Sequence, residues 1–256
     1  MKTIPSSGRH RLLVGFSIFF IVTTFIIGAA GCGGGNNSPL PQNLEIWDWY
    51  DLDAVRDNLD GSHTLMNDLD STTAGYIELA SPTTNEGKGW QPIGSSAVID
   101  AFVGSFDGQG CEICDLFINR PDESDVGLFG VVGEEGGIED VGVNGNVTGQ
   151  NNVGGLVGKN EGTVSTSYTI GRVIGIDYVG GLMGKNEGTA GNSSSASSVT
   201  GDTRVGGLVG QNSDTVSDSY ATGSVTGSDY VGGLVGKNED TVSDSYSTGS
   251  VTGDED

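Results

Sequence analysis

A block that begins Val-Gly-Gly-Leu occurs four times in this chain, and every copy is 26 residues long. The copies begin at Val153, Val179, Val205 and Val231, and no insertion separates them. A fixed period of this length is typical of stacked repeat proteins, in which each unit buries its apolar side only against its neighbours. The repeat therefore constrains the architecture more strongly than any other feature of the sequence.

Composition and turn spacing favour an all-β fold for these repeats. The chain contains 45 glycines and only 6 prolines among 256 residues, without the period of three that marks collagen. Each repeat holds three short strand-like runs between turns, which fits one coil of a β-helix. We predict an all-β repeat solenoid of the right-handed parallel β-helix type, with a β-roll or a two-layer solenoid as the alternative.

Equivalent positions of the repeats should form columns along the stack. Strand alternation places Gly154, Leu156, Gly158 and Asn160 on one side of a strand if no bulge intervenes, and the glycines are expected to bend the coil with positive φ. The predicted columns are an apolar one of Leu156, Leu182, Leu208 and Leu234 and an amide one of Asn160, Asn186, Asn212 and Asn238. The amides either hydrogen-bond to one another as a ladder or occupy left-handed turns.

The first 31 residues have the order of an export signal. Basic residues precede an apolar stretch from residue 12 to 27, and small residues follow it. The run Ala29-Ala30-Gly31-Cys32 resembles the lipobox of bacterial lipoproteins, with Ala29 where Leu is usual.

This resemblance implies removal of residues 1–31 and attachment of a lipid to Cys32. Residues 32–40 then form a flexible, polar tether. The resemblance also implies an anchored protein of the cell envelope, on the outer membrane or the cell surface. Ordinary signal cleavage near Ala30 and an uncleaved membrane anchor are the alternatives.

Residues 41–125 lack the strict period but contain local patterns. Residues 51–59 predict a helix, because apolar residues recur at helical spacing before an Asp-Gly turn. We expect this helix to cap the open end of the stack. Strands are predicted at residues 63–69, 76–80, 98–102 and 113–118. A degenerate repeat over residues 126–152 then leads into the four regular repeats of residues 153–256.

The block VGGLVG, followed by SYATGSVTG, is similar to the GLUG repeat, whose core is Gly-Leu-hydrophobic-Gly. Here that core occurs at residues 155–158, 181–184, 207–210 and 233–236. GLUG repeats are found in large exported adhesin-like proteins and beside the peptidase domain of immunoglobulin A-specific zinc metallopeptidases. The resemblance covers roughly residues 126–253 and implies an extracellular β-helical stalk or binding surface.

The charge of the chain restricts its partners. The formal net charge is −23, from 34 acidic and 11 basic residues. Nucleic acids and anionic membrane surfaces would be repelled, so neither is expected to bind. Calcium is the one cofactor that the sequence suggests, through the oxygen ligands of Asp57, Asp60, Asn67, Asp68 and Asp70. Formation of turns by these residues is the simpler interpretation.

Patterns for catalysis are scarce. Beyond the export segment His63 is the single histidine. This count excludes the His-Glu-x-x-His pattern of metallopeptidases and argues against a Ser-His-Asp triad, so we interpret His63 as an ordinary strand residue. Cys111 and Cys114 lack the second pair of a zinc ribbon. Strand alternation points them to opposite faces, which predicts free thiols that are buried or half-buried, with a strained disulfide as the alternative.

One acidic cluster interrupts the repeat period, at Glu134, Glu135, Glu139 and Asp140. A catalytic site should be an exception to a repeat, and a pair of carboxylates suffices for glycoside hydrolysis. A β-helical polysaccharide lyase or glycosidase is therefore the alternative function. Solvated turn acids are the simpler interpretation of the cluster.

We expect a cell-surface anchored, non-catalytic β-solenoid that acts in adhesion or in binding a glycan or a protein. Its exposed faces should present Ser, Thr, Asp and Tyr side chains in repeated positions. Tyr168, Tyr220 and Tyr246 either stack on sugars or form a packing ladder.

Overall fold

The computed structural model describes residues 43–96 and 100–254. Over these residues the chain is a β-solenoid, and all pairs between its strands are parallel. This confirms the all-β repeat solenoid expected from the 26-residue period. The export segment, the tether and Cys32 lie outside the described residues, and the right-handed sense of the coils stays a prediction. Among the described residues, no helix has the length and apolar character needed to cross a membrane.

The part before the repeats combines two short helices with four strands. In chain order these are β1 Asn43–Ile46, α1 Trp49–Ala54, β2 Ser62–Leu65, α2 Tyr76–Leu79, β3 Ser105–Asp107 and β4 Glu112–Asn119. Turns of 3₁₀ helix occur at Val55–Asp57 and Asn85–Gly87.

The degenerate repeat and the first regular repeat contribute β5 Phe129–Val132, β6 Gly137–Glu139, β7 Gly142–Thr148, β8 Asn151–Gly154, β9 Val157–Asn160, β10 Thr163–Ser165 and β11 Tyr168–Ile174. The second regular repeat contributes β12 Asp177–Gly180, β13 Met183–Asn186, β14 Thr189–Gly191, β15 Ser194–Ser195 and β16 Ser198–Thr200. The third adds β17 Thr203–Gly206, β18 Val209–Asn212, β19 Thr215–Ser217, β20 Tyr220–Ala221 and β21 Val225–Thr226. The fourth adds β22 Asp229–Gly232, β23 Val235–Asn238, β24 Thr241–Ser243, β25 Tyr246–Ser247 and β26 Val251–Thr252.

Each coil passes through four sheets rather than the three expected. In the order in which a coil meets them, the first sheet contains β8, β12, β17 and β22, and the second contains β5, β9, β13, β18 and β23. The third sheet runs from β1 through β2, β3, β6, β10, β14 and β19 to β24. The fourth sheet contains β4, β7, β11 and the strand pairs β15/β16, β20/β21 and β25/β26.

The extra sheet arises because the Val-Gly-Gly-Leu segment is not one strand. The chain bends at Gly155 and Leu156, between β8 and β9, so the single alternating strand predicted there is wrong. The glycines of this segment are needed for close approach, since a Cβ at Gly154 would lie 2.2 Å from the carbonyl oxygen of Val157. Positive φ occurs instead at non-glycine corners, among them Asn152, Tyr178, Arg204 and Tyr230. Our expectation that the glycines supply the positive φ is therefore wrong.

The regular repeats stack in register. Thr163, Thr189, Thr215 and Thr241 are direct partners in the third sheet, which reproduces the period of 26 residues. The degenerate repeat departs from this register at two places: it has one residue fewer between Val126 and Phe129, and two more between β5 and β6. Four residues, 133–136, connect β5 to β6, whereas two residues, 161–162, connect β9 to β10. The acidic residues Glu134 and Glu135 lie in this longer turn, so this break in the period is a turn insertion.

The leucine column is confirmed as the interior of the stack. Leu156, Leu182 and Leu208 are completely buried, and Leu234 is partly buried against the same core. Their backbones are linked directly, with N–H···O distances of 3.0 Å from Leu156 to Leu182 and 2.9 Å from Leu182 to Leu208. Each leucine thus buries its side chain against the leucine of the next coil, which is the nearest-neighbour stabilisation expected of a repeat array.

The asparagine column is an amide ladder. The Nδ2 atoms of Asn160, Asn186 and Asn212 each donate to the Oδ1 atom of the next asparagine at 2.8 Å. These three residues are completely buried. None of the four asparagines has a positive φ, so the alternative of left-handed turns is wrong. The ladder begins at Asn160, whose Oδ1 has no partner, because Val132 occupies the equivalent position of the preceding coil.

A second ladder, of serines, was not predicted. The backbone N–H groups of Ser167, Ser193 and Ser219 donate to the Oγ atom of the serine one coil further, at 3.2, 3.1 and 3.1 Å. Ser167, Ser193 and Ser219 are buried at the corner between the third and fourth sheets. The ladder satisfies backbone donors that this corner would otherwise bury without partners.

The predicted helix is present as α1, displaced toward the N-terminus. It begins at Trp49 because the side chain of Asp48 accepts hydrogen bonds from the backbone of Tyr50 and Asp51 at 2.9 and 3.0 Å. Trp49 and Leu52 are completely buried. The helix directly follows β1, the terminal strand of the third sheet, as a cap requires.

Some of the other strands predicted for this region are present and others are not. The strand over 113–118 is confirmed as β4, and the strand over 63–69 is present only as far as Leu65, where β2 ends. The strand over 76–80 is wrong, because Tyr76 and Leu79 turn inward at helical spacing and form α2. Of the segment 98–102, the structure describes only the end, where Phe102 forms an isolated bridge with Val132.

Candidate functional site

The outer side of the fourth sheet is a regular surface of the solenoid. In each regular repeat, four side chains of this sheet point outward, and the residues between them are buried or small except in the last coil, where Val251 is exposed. We call this surface the neutral face. It consists of Tyr168, Ile170, Arg172 and Ile174; Ser194, Ala196, Ser198 and Thr200; Tyr220, Thr222, Ser224 and Thr226; and Tyr246, Thr248, Ser250 and Thr252.

Arg172 is the one charged residue of the neutral face. This is unusual for a chain with 34 acidic residues, whose surface should carry charge on every side. Ser and Thr hydroxyls occupy most of the face, and each hydroxyl can both donate and accept a hydrogen bond. The face can therefore contact a polar but uncharged partner without desolvating an ion.

The three lysines of the regular repeats lie on the second sheet, and their acidic partners lie in the turns that follow it. Lys159 contacts Glu161 at 2.6 Å and Glu187 at 2.7 Å, and Lys185 contacts Glu187 at 2.5 Å. Burial opposes ionisation of Glu187, but its hydrogen bonds to the two lysines prevail and lower the pKa of that carboxyl. These lysines are committed to a ladder of ion pairs, which leaves them poorly placed to bind an external anion.

The three tyrosines of the neutral face do not act alike. The rings of Tyr220 and Tyr246 are stacked, with centroids 5.3 Å apart and planes within 9° of parallel. This pair is a packing ladder, yet Tyr220 remains 40% exposed and Tyr246 57%. Tyr168 belongs to the same column but is separated from Tyr220 by Ser194.

The ring of Tyr168 leans toward the preceding coil. A Cβ at Gly142 would lie 2.4 Å from Cζ of Tyr168, so only glycine leaves room for this ring. The hydroxyl of Tyr168 donates to the carboxylate of Glu112. Burial first, and then this hydrogen bond, raise the pKa of Tyr168, so the phenol stays protonated at neutral pH. Sequence reasoning missed this pairing, because the two residues are far apart in the chain and no repeat relates them.

The acidic cluster of the degenerate repeat is spread over three kinds of structure. Glu134 and Glu135 lie exposed in the turn after β5, Glu139 lies exposed at the end of β6, and Asp140 occupies a left-handed corner with φ of 54°. Asp107 in β3 is the strand partner of Glu139, and it adds a further carboxylate to the cluster rather than a cation. The placement is that of solvated acids on turns and edges.

Three of the residues considered for calcium are engaged in hydrogen bonds to the backbone. The Oδ1 atom of Asp70 accepts from the backbone of Thr72 at 2.7 Å, and Oδ1 of Asp68 accepts from the backbone of Glu112 at 2.8 Å. Asn67 donates to the carbonyl oxygen of Trp47. Over residues 43–96 and 100–254, no group of three or more His, Cys, Asp or Glu side chains is arranged to hold a metal ion. Asp57 and Asp60 instead line a cleft of the cap.

That cleft has a volume of about 450 Å³ and is also lined by Arg56, Leu59 and Val103. The guanidinium of Arg56 is already occupied. It donates to the carbonyl oxygen of Pro92 at 2.6 Å and to Asp53 at 2.7 Å, and it lies 4.5 Å from the ring centre of Trp90. The cleft thus lacks a free cation among its lining residues, while two carboxylates border it.

His63 is a buried strand residue, as interpreted from the sequence. It lies in β2, its Nε2 atom contacts the carbonyl oxygen of Asn58 at 2.9 Å, and its ring centre is 5.8 Å from that of Phe102. Burial lowers the pKa of this imidazole, which favours the neutral form. No catalytic arrangement involves it among the described contacts.

Cys111 and Cys114 are free thiols, and both are half-buried, as predicted. Cys111 packs against the hydrophobic core, whereas the Sγ atom of Cys114 contacts the Oε2 atom of Glu112 at 3.5 Å on the outer side. Burial, together with that carboxylate, raises the pKa of Cys114 to about 11. Both thiols are therefore poor nucleophiles near neutral pH.

The geometry defines a class: a parallel β-solenoid repeat protein with an ordered interior and a continuous outer face. The family model described as "The GLUG motif" matches residues 201–226 and 227–252. The chain therefore carries GLUG repeats, and the resemblance stated from the sequence is confirmed.

Two relatives match this chain over part of its length. The chain is 37% identical over 130 residues to halomucin of Haloquadratum walsbyi and 40% identical over 119 residues to a candidate Gly-rich membrane protein of Evansella cellulosilytica. The matched regions cover 47% and 44% of this chain but 1% and 13% of those relatives. The chain therefore spans only a small part of the length of these relatives.

A solved structure shares the fold. It is that of a candidate immunoglobulin A1 protease from Bacteroides ovatus, with a TM-score of 0.60 and 21% identity over 80% of this chain and 67% of that chain. At this identity the likeness concerns the fold alone.

Proposed function

We propose that this chain is a cell-surface solenoid that binds a glycan or a protein through its neutral face and performs no catalysis. The observation that carries the proposal is the near absence of charge from one broad, regular face of a chain with a net charge of −23. Charged side chains are usually exposed on a protein surface, so a broad face with a single charge, Arg172, suits a surface that an uncharged partner covers.

The repetition of this face supports binding to a repeating partner. Equivalent side chains recur one strand spacing apart, about 4.8 Å, along the stack. Several weak, equal contacts then add up to a stable attachment. An enzyme, in contrast, gathers its reacting groups in one asymmetric arrangement.

The surface location rests on the sequence and on the relatives. The order of the first 31 residues and Cys32 favours a lipid-anchored envelope protein. The names of the two relatives, a mucin and a membrane protein, agree with a location at the cell surface. We expect neither a nucleic acid nor a bound cofactor to take part.

The experiment that tests this proposal measures adhesion at different salt concentrations. The full-length chain, purified in detergent and coupled to beads, is offered surfaces coated with neutral glycans, anionic glycans and extracellular proteins. Retention on at least one surface should persist from 0.05 M to 1 M NaCl, because an uncharged contact is insensitive to screening. Loss of all retention at high salt, or no retention on any surface, would contradict the proposal.

The carbohydrase alternative makes a separate prediction. A polysaccharide lyase or glycosidase centred on the acidic cluster would release new chain ends from a polymer, and Glu134→Gln or Glu139→Gln would abolish this release. We expect the wild-type chain to release none above the level of these variants.

A further inference from the structure

We propose that a single uncharged sugar ring binds beside Ser194, stacked on the free side of the Tyr220 ring. This inference rests on the proposed binding role of the neutral face, and it names both the ligand class and the position. It concerns a gap in the aromatic column of that face.

The column reads Tyr168, Ser194, Tyr220, Tyr246 in successive coils. Tyr246 covers one side of the Tyr220 ring, at a centroid distance of 5.3 Å. The other side of that ring faces the coil of Ser194, whose side chain is too short to cover it. The 40% exposure of Tyr220 is consistent with this one uncovered side.

The space beside Ser194 has the width of one inserted ring. Tyr168 and Tyr220 are two coils apart, which corresponds to about 9.6 Å at the usual spacing of strands. Rings in contact have their centres about 4.5–7 Å apart, so one ring fits between two positions of the column. Tyr168 leans away from the gap, toward Gly142, and is held there by its hydrogen bond to Glu112. Tyr220 is therefore the ring on which a ligand would stack.

The surroundings of the gap select for an uncharged, hydroxyl-bearing ligand. Ser194, Ser198 and Thr222 offer hydroxyl groups, and Ala196 leaves space between them. The hydroxyls of Ser198 and Ser224 are 3.1 Å apart, which shows that this part of the face supports hydrogen bonds between neighbouring coils. A pyranose ring offers an apolar face for Tyr220 and a rim of hydroxyls for these side chains.

Charge argues against an acidic sugar. Arg172 is the one cation of the neutral face, and the net charge of the chain is −23. An anionic polymer would meet long-range repulsion from the whole chain before it reached that arginine. Arg172 nevertheless provides a means to test the assignment, because a carboxylated sugar would depend on it.

The test is affinity electrophoresis of the full-length chain in gels that contain laminarin, galactomannan or dextran as neutral probes and alginate as the anionic probe. At least one neutral probe should retard the wild type. Ser194→Tyr fills the gap with the residue that the next two coils already carry, so it should keep the fold and reduce the affinity at least tenfold. Tyr220→Ala removes the ring on which the sugar stacks and should also reduce the affinity at least tenfold. Tyr230→Ala, which removes an exposed tyrosine from outside the face, is the matched control and should change nothing.

Two deletions of equal length give a second comparison. Removal of residues 179–204 deletes the coil of Ser194 and places Tyr220 next to Tyr168, so binding should be lost. Removal of residues 205–230 deletes the coil of Tyr220 but places Tyr246 next to Ser194, so binding should largely persist. Circular dichroism checks that both deletions leave a folded β-solenoid.

Each of the following outcomes would overturn the sugar site beside Ser194. Neutral retardation that survives Ser194→Tyr would show that the face binds elsewhere, which leaves the proposed function intact. Retardation by alginate that requires Arg172 would show an acidic ligand. Failure of every neutral probe to retard the wild type would reject the sugar site, whereas the proposed function would be rejected only if the bead assay also found no salt-resistant retention.

Discussion

Replacement of Asn186 by Ala should destabilise the solenoid strongly, because this residue lies in the middle of the amide ladder. Its Nδ2 atom donates to the carbonyl oxygen of Gly188 at 2.7 Å, to Oδ1 of Asn212 at 2.8 Å and to the carbonyl oxygen of Thr215 at 3.1 Å. Its Oδ1 atom accepts from Asn160 at 2.8 Å. Alanine makes none of these four bonds.

The magnitude follows from burial. A hydrogen bond contributes about 1 kcal/mol net, and a buried group left without a partner costs about 1–3 kcal/mol. Asn186 is completely buried, and its loss leaves the Oδ1 atom of Asn212 without a donor from the ladder. We therefore expect the free energy of unfolding to fall by about 4 kcal/mol.

Asn238→Ala is the matched control. Asn238 belongs to the same ladder but is exposed, so water can replace the bonds that it loses. Its replacement should cost about 1 kcal/mol. Asn186→Asp adds a further test, because it keeps the size of the side chain but removes its donors, and it should be at least as harmful as alanine.

The assay is urea unfolding followed by circular dichroism, with the two alanine variants compared at the same m-value so that the difference reports stability. A difference of less than about 1 kcal/mol between Asn186→Ala and Asn238→Ala would refute the reasoning. It would show that the amides stack without stabilising the coils.

Three further predictions concern the core, a thiol and the anchor. Leu208→Asp should unfold the repeat array, at a cost above about 4 kcal/mol, because it places a charge in the buried column. Leu234→Asp changes a partly buried position and should cost much less. Thermal melts of the two variants measure the difference. Alkylation of Cys114 by iodoacetamide at pH 8 should be about 100-fold slower than that of an ordinary cysteine, because a pKa of about 11 in place of 9.0 lowers the fraction of thiolate. The rate should rise about tenfold per unit of pH up to pH 10. Peptide mass spectrometry measures both. A rate like that of a free peptide would show that Glu112 and burial do not protect the thiol. Cys32→Ser should release the chain from the membrane fraction on immunoblots, and unchanged partition would instead favour an uncleaved anchor.

The repeat period was enough to predict the interior of the stack. Because equal spacing in sequence must become equal spacing along the axis, Leu156 and its equivalents had to share a column, and so did the asparagines. The period did not decide whether these asparagines form an amide ladder or left-handed turns. The structure also shows why the period fails in the degenerate repeat, where one residue is missing between Val126 and Phe129. The turn that holds Glu134 and Glu135 contains two additional residues, which shift β5 relative to β6.

The path of the chain within one coil was harder to predict. Glycine in a strand pattern signals either a bend or a close approach, and the sequence does not separate the two. Here Gly154 allows a close approach, whereas the left-handed corners fall on Tyr178, Arg204 and Tyr230. Tertiary packing imposes these corners on residues that rarely adopt them, so local preference could not reveal them.

The sequence carries a signal for the near absence of charge from the neutral face. Alternate residues of the segment that begins at Tyr220 are Tyr, Thr, Ser and Thr, and the segment that begins at Tyr246 repeats them. Period-two patterning predicts that these residues share one side of a strand. The contact between Tyr168 and Glu112 had no such signal, because it depends on how the degenerate repeat joins the cap.

The most direct test of the neutral face is to place charge on it. Thr222→Glu combined with Thr248→Glu puts two carboxylates on neighbouring coils of the fourth sheet, and Thr163→Glu combined with Thr189→Glu puts the same pair on exposed positions of the third sheet. Both double variants add the same charge at the same spacing, so their solubility and stability should match. Retention on the surface that holds the wild type should fall at least tenfold for the first variant and stay unchanged for the second. Equal retention of the two variants would contradict binding through the neutral face.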